Sequence, residues 1–440
     1  MMRSYFIAMA LLLSFAPFAA HATQVQEVVS PGGLKAWLVE EHALPLVAVK
    51  VAFRSSGSAY DPPGREGLTA MVSAMMLEGA GDMDSHAFNE AIENDAVRMN
   101  FGSDDDVFRA SLETLSEHTD RAFGYLALAL AHPRFDDAAI ERVRAQTLSM
   151  LKEQEHQPHY LLQRQWEQLA FGKHPYGNPS LGTPESVSAI KKDDLARYAA
   201  HYLTRENMLI AVVGDITPQE LARQLDAHFS GIAAHYQPDV SVAEARLPET
   251  AKQMLVDDDI PQTMVMFGTN GLKRDDPDYY AAYVMNQILG GGGALTSKLG
   301  IEIRQKRGLA YSVYSQMEPM EHAAIWGGGF ATRSDQVGEA LKTLRGTLAD
   351  FAANGPTDAE MDDAKKHLVG SFVLGLDSNG DIAGFLINMQ QNHLGRDYLD
   401  KRNALMQAVR KDRVKAMAAK LVNPDALLVV MVGKPKLDTP

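Results

Sequence analysis

The chain predicts an α+β fold made of two homologous α/β-sandwich domains, each an antiparallel-rich sheet with helices packed on it, together forming a clamshell. Three observations carry this expectation. Without a gap, residues 192–214 align with residues 411–433: Ala199-Ala200 falls on Ala418-Ala419, and Val213-Gly214 on Val432-Gly433, an offset of 219 residues. A repeat of that length means two copies of one domain rather than a solenoid. Second, each copy runs in the same order, with strands, an apolar helix ending in glycines, a short helix, more strands, long helices and a last strand. Third, 440 residues with no cysteine exceed what one core holds, and no disulfide substitutes for packing.

Alternation of apolar and polar residues marks strands at Gln24 to Val29, Leu34 to Glu40 and Leu46 to Arg54, the first two joined by the turn Ser30-Pro31-Gly32-Gly33. A helix is expected from Gly67 to Leu77, stopped by Gly79 to Gly81, and a second from Phe88 to Asp95. Strands at Val97 to Gly102 and Val107 to Leu112 come next. Helices at Ser116 to Ala131, Asp137 to Gln154, Tyr160 to Phe171 and Lys192 to Tyr202 precede a strand at Met208 to Val213. Thr217-Pro218-Gln219-Glu220 has the pattern of a capping box with proline at the first helical position. In the second copy, Tyr280 to Gly292 repeats the apolar helix running into glycines. Ala294 to Arg307 is expected as a helix ended by Gly308, Leu309 to Tyr314 as a strand, and Thr357-Asp358-Ala359-Glu360 as a box opening a helix through Leu376.

Arg3 before the apolar run Tyr5 to Ala20, with Ala20-His21-Ala22 after it, has the form of an export signal cut after Ala22, so the mature chain is expected in the periplasm or secreted. The implied domain limits are 1–22 for the signal, 23–230, a linker at 231–250 rich in Ala, Pro and acidic residues, and 251–440. No later stretch is apolar enough to span a membrane. Without Arg3 the balance is 41 basic (42 − 1) against 56 acidic residues, a net charge of −15. Such a surface excludes nucleic acid as a partner.

Gly67-Leu68 opening a helix that closes with Leu77-Glu78-Gly79, then Phe171 to Gly177 (F-G-K-H-P-Y-G) with Gly182 to Ser186 (G-T-P-E-S), then Arg304 to Tyr311, resembles the insulinase/pitrilysin-type zinc peptidase family along the whole mature chain. Length and repeat are similar to its short bacterial and mitochondrial-processing-peptidase branch. In active members the first helix carries H-x-x-E-H, two histidines for zinc with a glutamate as general base. That register puts Ala70 and Ala74 at the histidine positions and Ser73 at the glutamate, and the third ligand should fall near Ser149 to Leu151, where no carboxylate stands. A methyl group cannot bind metal, so no metal ligand and no cofactor are expected in this chain.

The same resemblance implies that Arg304 and Tyr311 hold a substrate backbone and stabilise an oxyanion across the cleft from a zinc site. A guanidinium and a phenol aimed at a carbonyl under attack stabilise the transition state more than the substrate. On the residues alone, Arg304 capping helix carbonyls and Tyr311 as a half-buried strand residue is the plainer account. The family further implies that peptides are laid along Val97 to Gly102, which makes Asn100, Phe101 and Gly102 candidates for binding by strand addition.

His156 and His159 flank Pro158 and are expected in a solvated loop; His174, in the H-P-Y-G turn, is expected to be structural. Met71, Met75 and Met76 are expected to fill the space of the missing ligands. Trp326 to Phe330 is expected as a strand of close backbone approach whose aromatics reach a peptide. Gly290 to Gly293 lacks the G-K-[ST] of a phosphate loop. These features predict the non-metal subunit of an exported two-chain zinc endopeptidase, inactive alone, with zinc in a homologous H-x-x-E-H partner. A catalytically inactive peptide-binding or assembly scaffold is the alternative.

Overall fold

The structure is a computed structural model and describes residues 24–436; the export signal expected at 1–22 lies outside the described residues. The first half carries β1 (Gln26–Val29), β2 (Lys35–Glu40), β3 (Leu46–Phe53), α1 (Leu68–Met75) and a small hairpin, β4 (Gly79–Ala80) with β5 (Met83–Asp84). Next come α2 (Ser85–Asn94), β6 (Arg98–Ser103), β7 (Phe108–Leu115), α3 (Thr119–Ala131), α4 (Asp137–Gln154) and α5 (Pro158–Phe171). It closes with α6 (Pro184–Ala189), α7 (Lys192–Tyr202), β8 (Met208–Gly214) and α8 (Pro218–His228).

The second half has β9 (Lys252–Val256), β10 (Gln262–Asn270), α9 (Tyr279–Leu289), a π-helical turn at Gly300–Gln305, β11 (Ala310–Pro319) and β12 (Ala324–Arg333). Five helices come after these: α10 (Val337–Asn354), α11 (Asp358–Gly370), α12 (Asn379–Gln391), α13 (Tyr398–Gln407) and α14 (Lys411–Leu421). The last strand is β13 (Leu428–Val432).

The strand orders are β1-β2-β8-β3-β7-β6 and β11-β12-β10-β13-β9. Reversed and stripped of β1, the first matches the second strand for strand. The pairing senses match as well: β2–β8 and β9–β13 are parallel, and the other pairs antiparallel. Gly214 ends β8 and Gly433 follows β13, with φ of 141° and 139°, a conformation that side chains other than glycine's rarely allow. The repeat seen in the sequence is therefore a repeat of topology.

The halves interlock by exchanging one helix each. Helix α5 turns Leu162, Trp166 and Ala170 onto the second sheet, against Ile325, Leu428, Val430 and Val432. Helix α12, shifted by about the same offset, lays Ala383, Leu386 and Ile387 on Val39, Ala52 and Val213 of the first sheet. Each sheet thus buries one face under its own helices and the other under its neighbour's, as a sheet apolar on both faces requires.

Local differences from the expected elements have physical causes. Thr217 Oγ1 accepts from Glu220 N at 3.2 Å, but the reciprocal half of that box is absent, because the Glu220 carboxylate meets Arg223 instead. The Thr357–Glu360 box is complete, although α11 stops at Gly370 rather than Leu376. Pro158 takes the first position of a new helix, so α4 and α5 are separate.

Candidate functional site

Helix α1 begins where Gly67, at φ 91°, brings its backbone against Leu181 and Gly182. The buried Asp61 pins that end: its carboxylate accepts from Gly67 N at 2.8 Å, Thr69 N at 2.9 Å and Thr69 Oγ1 at 2.6 Å. Burial pushes the Asp61 carboxyl up to about 7 despite these donors. Met71, Met75 and Met76 sit in the core of the first half. They therefore do not occupy the space of the missing ligands. Ala70 and Ser73 are half-buried and Ala74 exposed, forming the opposite stripe of the helix, and Ser73 Oγ spends its proton on Thr69 O at 3.0 Å.

Helix α4 packs beside α1 and presents Ser149 and Met150 to solvent and Leu151 to the core. Two methyls offer no lone pair, and a single neutral hydroxyl is not one of zinc's usual His, Cys or carboxylate ligands, so these residues do not fit zinc. Among the described residues no three His, Asp or Glu converge in a way that would hold a metal ion. His174 is tied into its turn, its ring accepting from Tyr176 N at 3.2 Å and meeting Ala243 O at 2.8 Å.

Beside α1, β6 is the outer strand of its sheet. Asn100 is exposed, Phe101 and Gly102 are half-buried, and nothing lies within 4 Å of the place a Cβ on Gly102 would take. Backbone groups on the free side of this strand are open to an added strand.

In the second half the corresponding edge is β11. Asn286 anchors it: its Oδ1 accepts from Ser315 Oγ at 2.8 Å and Trp326 Nε1 at 3.0 Å, and its backbone carbonyl takes Gly290 N and Gly291 N. Trp326 is fully buried and Phe330 nearly so, hence neither aromatic reaches a peptide as expected. Gly328 lets β11 approach, since a Cβ there would lie 2.0 Å from Tyr314 O.

The helix expected from Ala294 to Arg307 is shorter and its last turns are π-helical, with Lys306 N bonding Ile301 O at 2.9 Å. Gly308, at φ 61°, ends it while its N–H and that of Leu309 cap Arg304 O and Ile303 O. Arg304 therefore has no capping task. Its guanidinium carbon lies 4.5 Å from the centre of the Tyr311 ring. Tyr311 sits in a bulge, where Ala310 to Val313 spans three steps against two on β12, and it is 81% exposed. Among the described residues neither side chain has a hydrogen-bond or ion-pair partner, so both donors are unspent. Leu295 and Tyr314 are exposed nearby on the same loop and strand.

The two sets of candidates are not brought together. The far end of β11 meets the first half, where Glu321 N donates to Asp106 at 2.8 Å. Tyr311 lies eight residues before Pro319, roughly 27 Å of extended strand away. The cavities along the seam between the halves are lined by neither Arg304 nor Tyr311. Asp61 and Asn286 were missed in the sequence. A pair of amides, Asn286 and Gln287, inside the apolar run Tyr279–Leu289 was the available signal for Asn286; Asp61, in a loop, had none.

Residues 38–184 match the family described as Insulinase (Peptidase family M16), and residues 189–368 match the one described as Peptidase M16 inactive domain. A Helicobacter pylori protein named "Non-peptidase homolog YmxG" is 30% identical over 336 residues, 76% of either chain. A Bacillus subtilis protein named "Uncharacterized zinc protease YmxG" is 24% identical over 417 residues, covering 92% of this chain and 98% of that one. The solved structure of a peptidase M16 inactive domain from Pseudomonas fluorescens superposes with a TM-score of 0.87 at 29% identity, over 94% of this chain and 99% of that one.

Proposed function

Because the chain belongs to the M16 (insulinase) peptidase family, we propose that it is a non-metal subunit that completes the zinc site of a homologous, H-x-x-E-H-bearing partner. The observation that carries this is the pairing of a metal position reduced to Ala70, Ser73 and Ala74 with an intact, unspent Arg304–Tyr311 pair facing outward. That neither residue lines the cavities along the seam between the halves supports a role toward another chain.

The partner brings the zinc and its activated water. This chain brings two positioned donors. Arg304, stacked on Tyr311, holds a peptide carbonyl with a guanidinium N–H, and the phenol donates to the same oxygen as negative charge grows on it. The edge of β6 (Asn100, Phe101, Gly102) offers backbone pairing to a separate stretch of peptide, away from the donors, and Leu295 supplies apolar contact on the loop before Arg304. The proposed domain limits are 23–230 and 251–440 with a linker between, in an exported chain cut after Ala22. No helix among the described residues is long and apolar enough to cross a membrane.

The test mixes the purified chain with such a partner and measures cleavage of a fluorogenic peptide. Activity should appear only in the mixture and fall by about 10²-fold with Arg304→Ala or Tyr311→Phe. Undiminished activity of both variants overturns the proposal. The naming of the Helicobacter pylori relative as a non-peptidase homolog favours a second reading, an inactive scaffold, which predicts tight association and no dependence of any activity on either residue.

A further inference from the structure

Where the halves meet, one cavity of about 160 Å³ gathers carboxylates from three elements: Asp105 from the β6–β7 turn, Glu167 from α5 and Glu318 from β11. Trp166, Tyr176 and Tyr314 wall it. Asp106 stands beside it on the same turn, accepting from Tyr176 OH and Glu321 N. Positive charge is scarce. Arg164 is spent on Glu167 and Gly177 O, and Arg109 on Asp104. Asp105 accepts only from Ser58 Oγ, at 2.9 Å, and Glu318 has no partner among the described residues. The remaining titratable neighbours, Glu321 and His322 on the β11–β12 turn and His174 before Tyr176, bring no further cation onto these three groups.

We propose that this seam is a pH-dependent clasp, which holds α5 on the second sheet while one or more of Asp105, Glu167 and Glu318 is neutral and loosens it when all three ionise. The three groups lie on parts that must separate for the halves to part: the turn and α5 belong to the first half, and β11 to the second. Like charges confined there repel across the plane of contact. Burial pushes Asp105 up to about 7, with Glu167, Asp106 and Asp104 adding to it, and desolvation raises Glu167 against its pair with Arg164. Desolvation and then the charges of Glu167, Asp106 and Asp104 raise Glu318, whose outer flank stays in water and limits the first effect. Folded-state values above the unfolded ones mean that the native seam binds protons more tightly, so its stability is present at low pH and is lost as pH rises through about 7. The clasp does not depend on the Arg304–Tyr311 proposal.

Hydrogen exchange of the α5 amides, corrected for the chemical rate at each pH, reads the clasp directly. Protection of residues 158–171 should fall at least tenfold, roughly one unit of linkage, between pH 5.5 and 8, while β3 amides stay protected. Asp105→Asn with Glu318→Gln should remove the fall. Glu318→Gln alone, at an exposed flank where folding is not at risk, should halve its slope. Protection of α5 that is constant over this range, or equally pH-dependent in the double variant, overturns the proposal.

Discussion

The halves share a topology but hold their leading helices by opposite ends and with different chemistry. Helix α1 is fixed at its N-terminus by the buried carboxylate of Asp61, and one stripe of it is left open. Helix α9 is fixed near its C-terminus by the neutral amide of Asn286 and is buried on most of its surface among α14, α11 and β11. An anchor at the N-terminus leaves the later turns of α1 free to face a substrate. An anchor at the C-terminus instead directs the segment beyond the helix: the glycine loop, the π-helical turn and the bulge that carries Tyr311. The same repeat thus leaves an open helix stripe of Ala70, Ser73 and Ala74 in one copy and an outward Arg304–Tyr311 pair in the other.

The largest effect expected from breaking this comparison is on the exchange that unites the halves. Residues 24–250 expressed alone should give no cooperative thermal transition, because Leu162 and Trp166 lose their partners and the outer face of the first sheet loses α12; circular dichroism and calorimetry decide it. Next in size is Asn286→Leu. Leaving Trp326 Nε1 and Ser315 Oγ unpaired in the core should cost about 3 kcal/mol in urea unfolding.

Asp61→Asn acts through pH. With its folded-state value near 7, Asp61 contributes stability below that pH and loses it above, so wild-type Tm should decline from pH 5 to 8 and the variant decline less. Smallest of all is the effect on stability of the exposed stripes. Ala70→His with Ala74→His, and separately Tyr311→Phe, should each change unfolding free energy by less than about 0.5 kcal/mol. The paired histidines, lacking a third ligand near Ser149 to Leu151, should bind zinc only weakly in calorimetric titration and cleave nothing.

Secondary structure was largely legible because its signals are local. Strand alternation in 46–53, the proline opening α5 and the Thr357 box lie within a few residues of what they specify. The duplicated topology was legible through Gly214 and Gly433, whose positive φ admits little else. The helix exchange was not, since an apolar stripe on α5 reads the same whichever sheet it meets. Nor was the π-helical turn, which depends on Gly300 lying against Ala294 O, with a would-be Cβ only 2.5 Å away. For the candidate site, the absence of ligands at 70, 73 and 74 could be seen in the residues themselves. The orientation of the methionines could not, because Met71, Met75 and Met76 differ from Ala70 and Ala74 only by rotation about the helix axis.

The exchanged helices also bear on how the chain comes into being. Every strand of the first sheet has been synthesised by Gly214, yet the helix that covers its outer face begins at Asn379. More than a third of the polypeptide must emerge before Val39, Ala52 and Val213 find their cover, so the nascent first half waits with an apolar surface open to holding chaperones. Closing the structure is thus a late, long-range event. Its rate should be set by how fast two distant segments trade places, and much less by how fast either sheet forms.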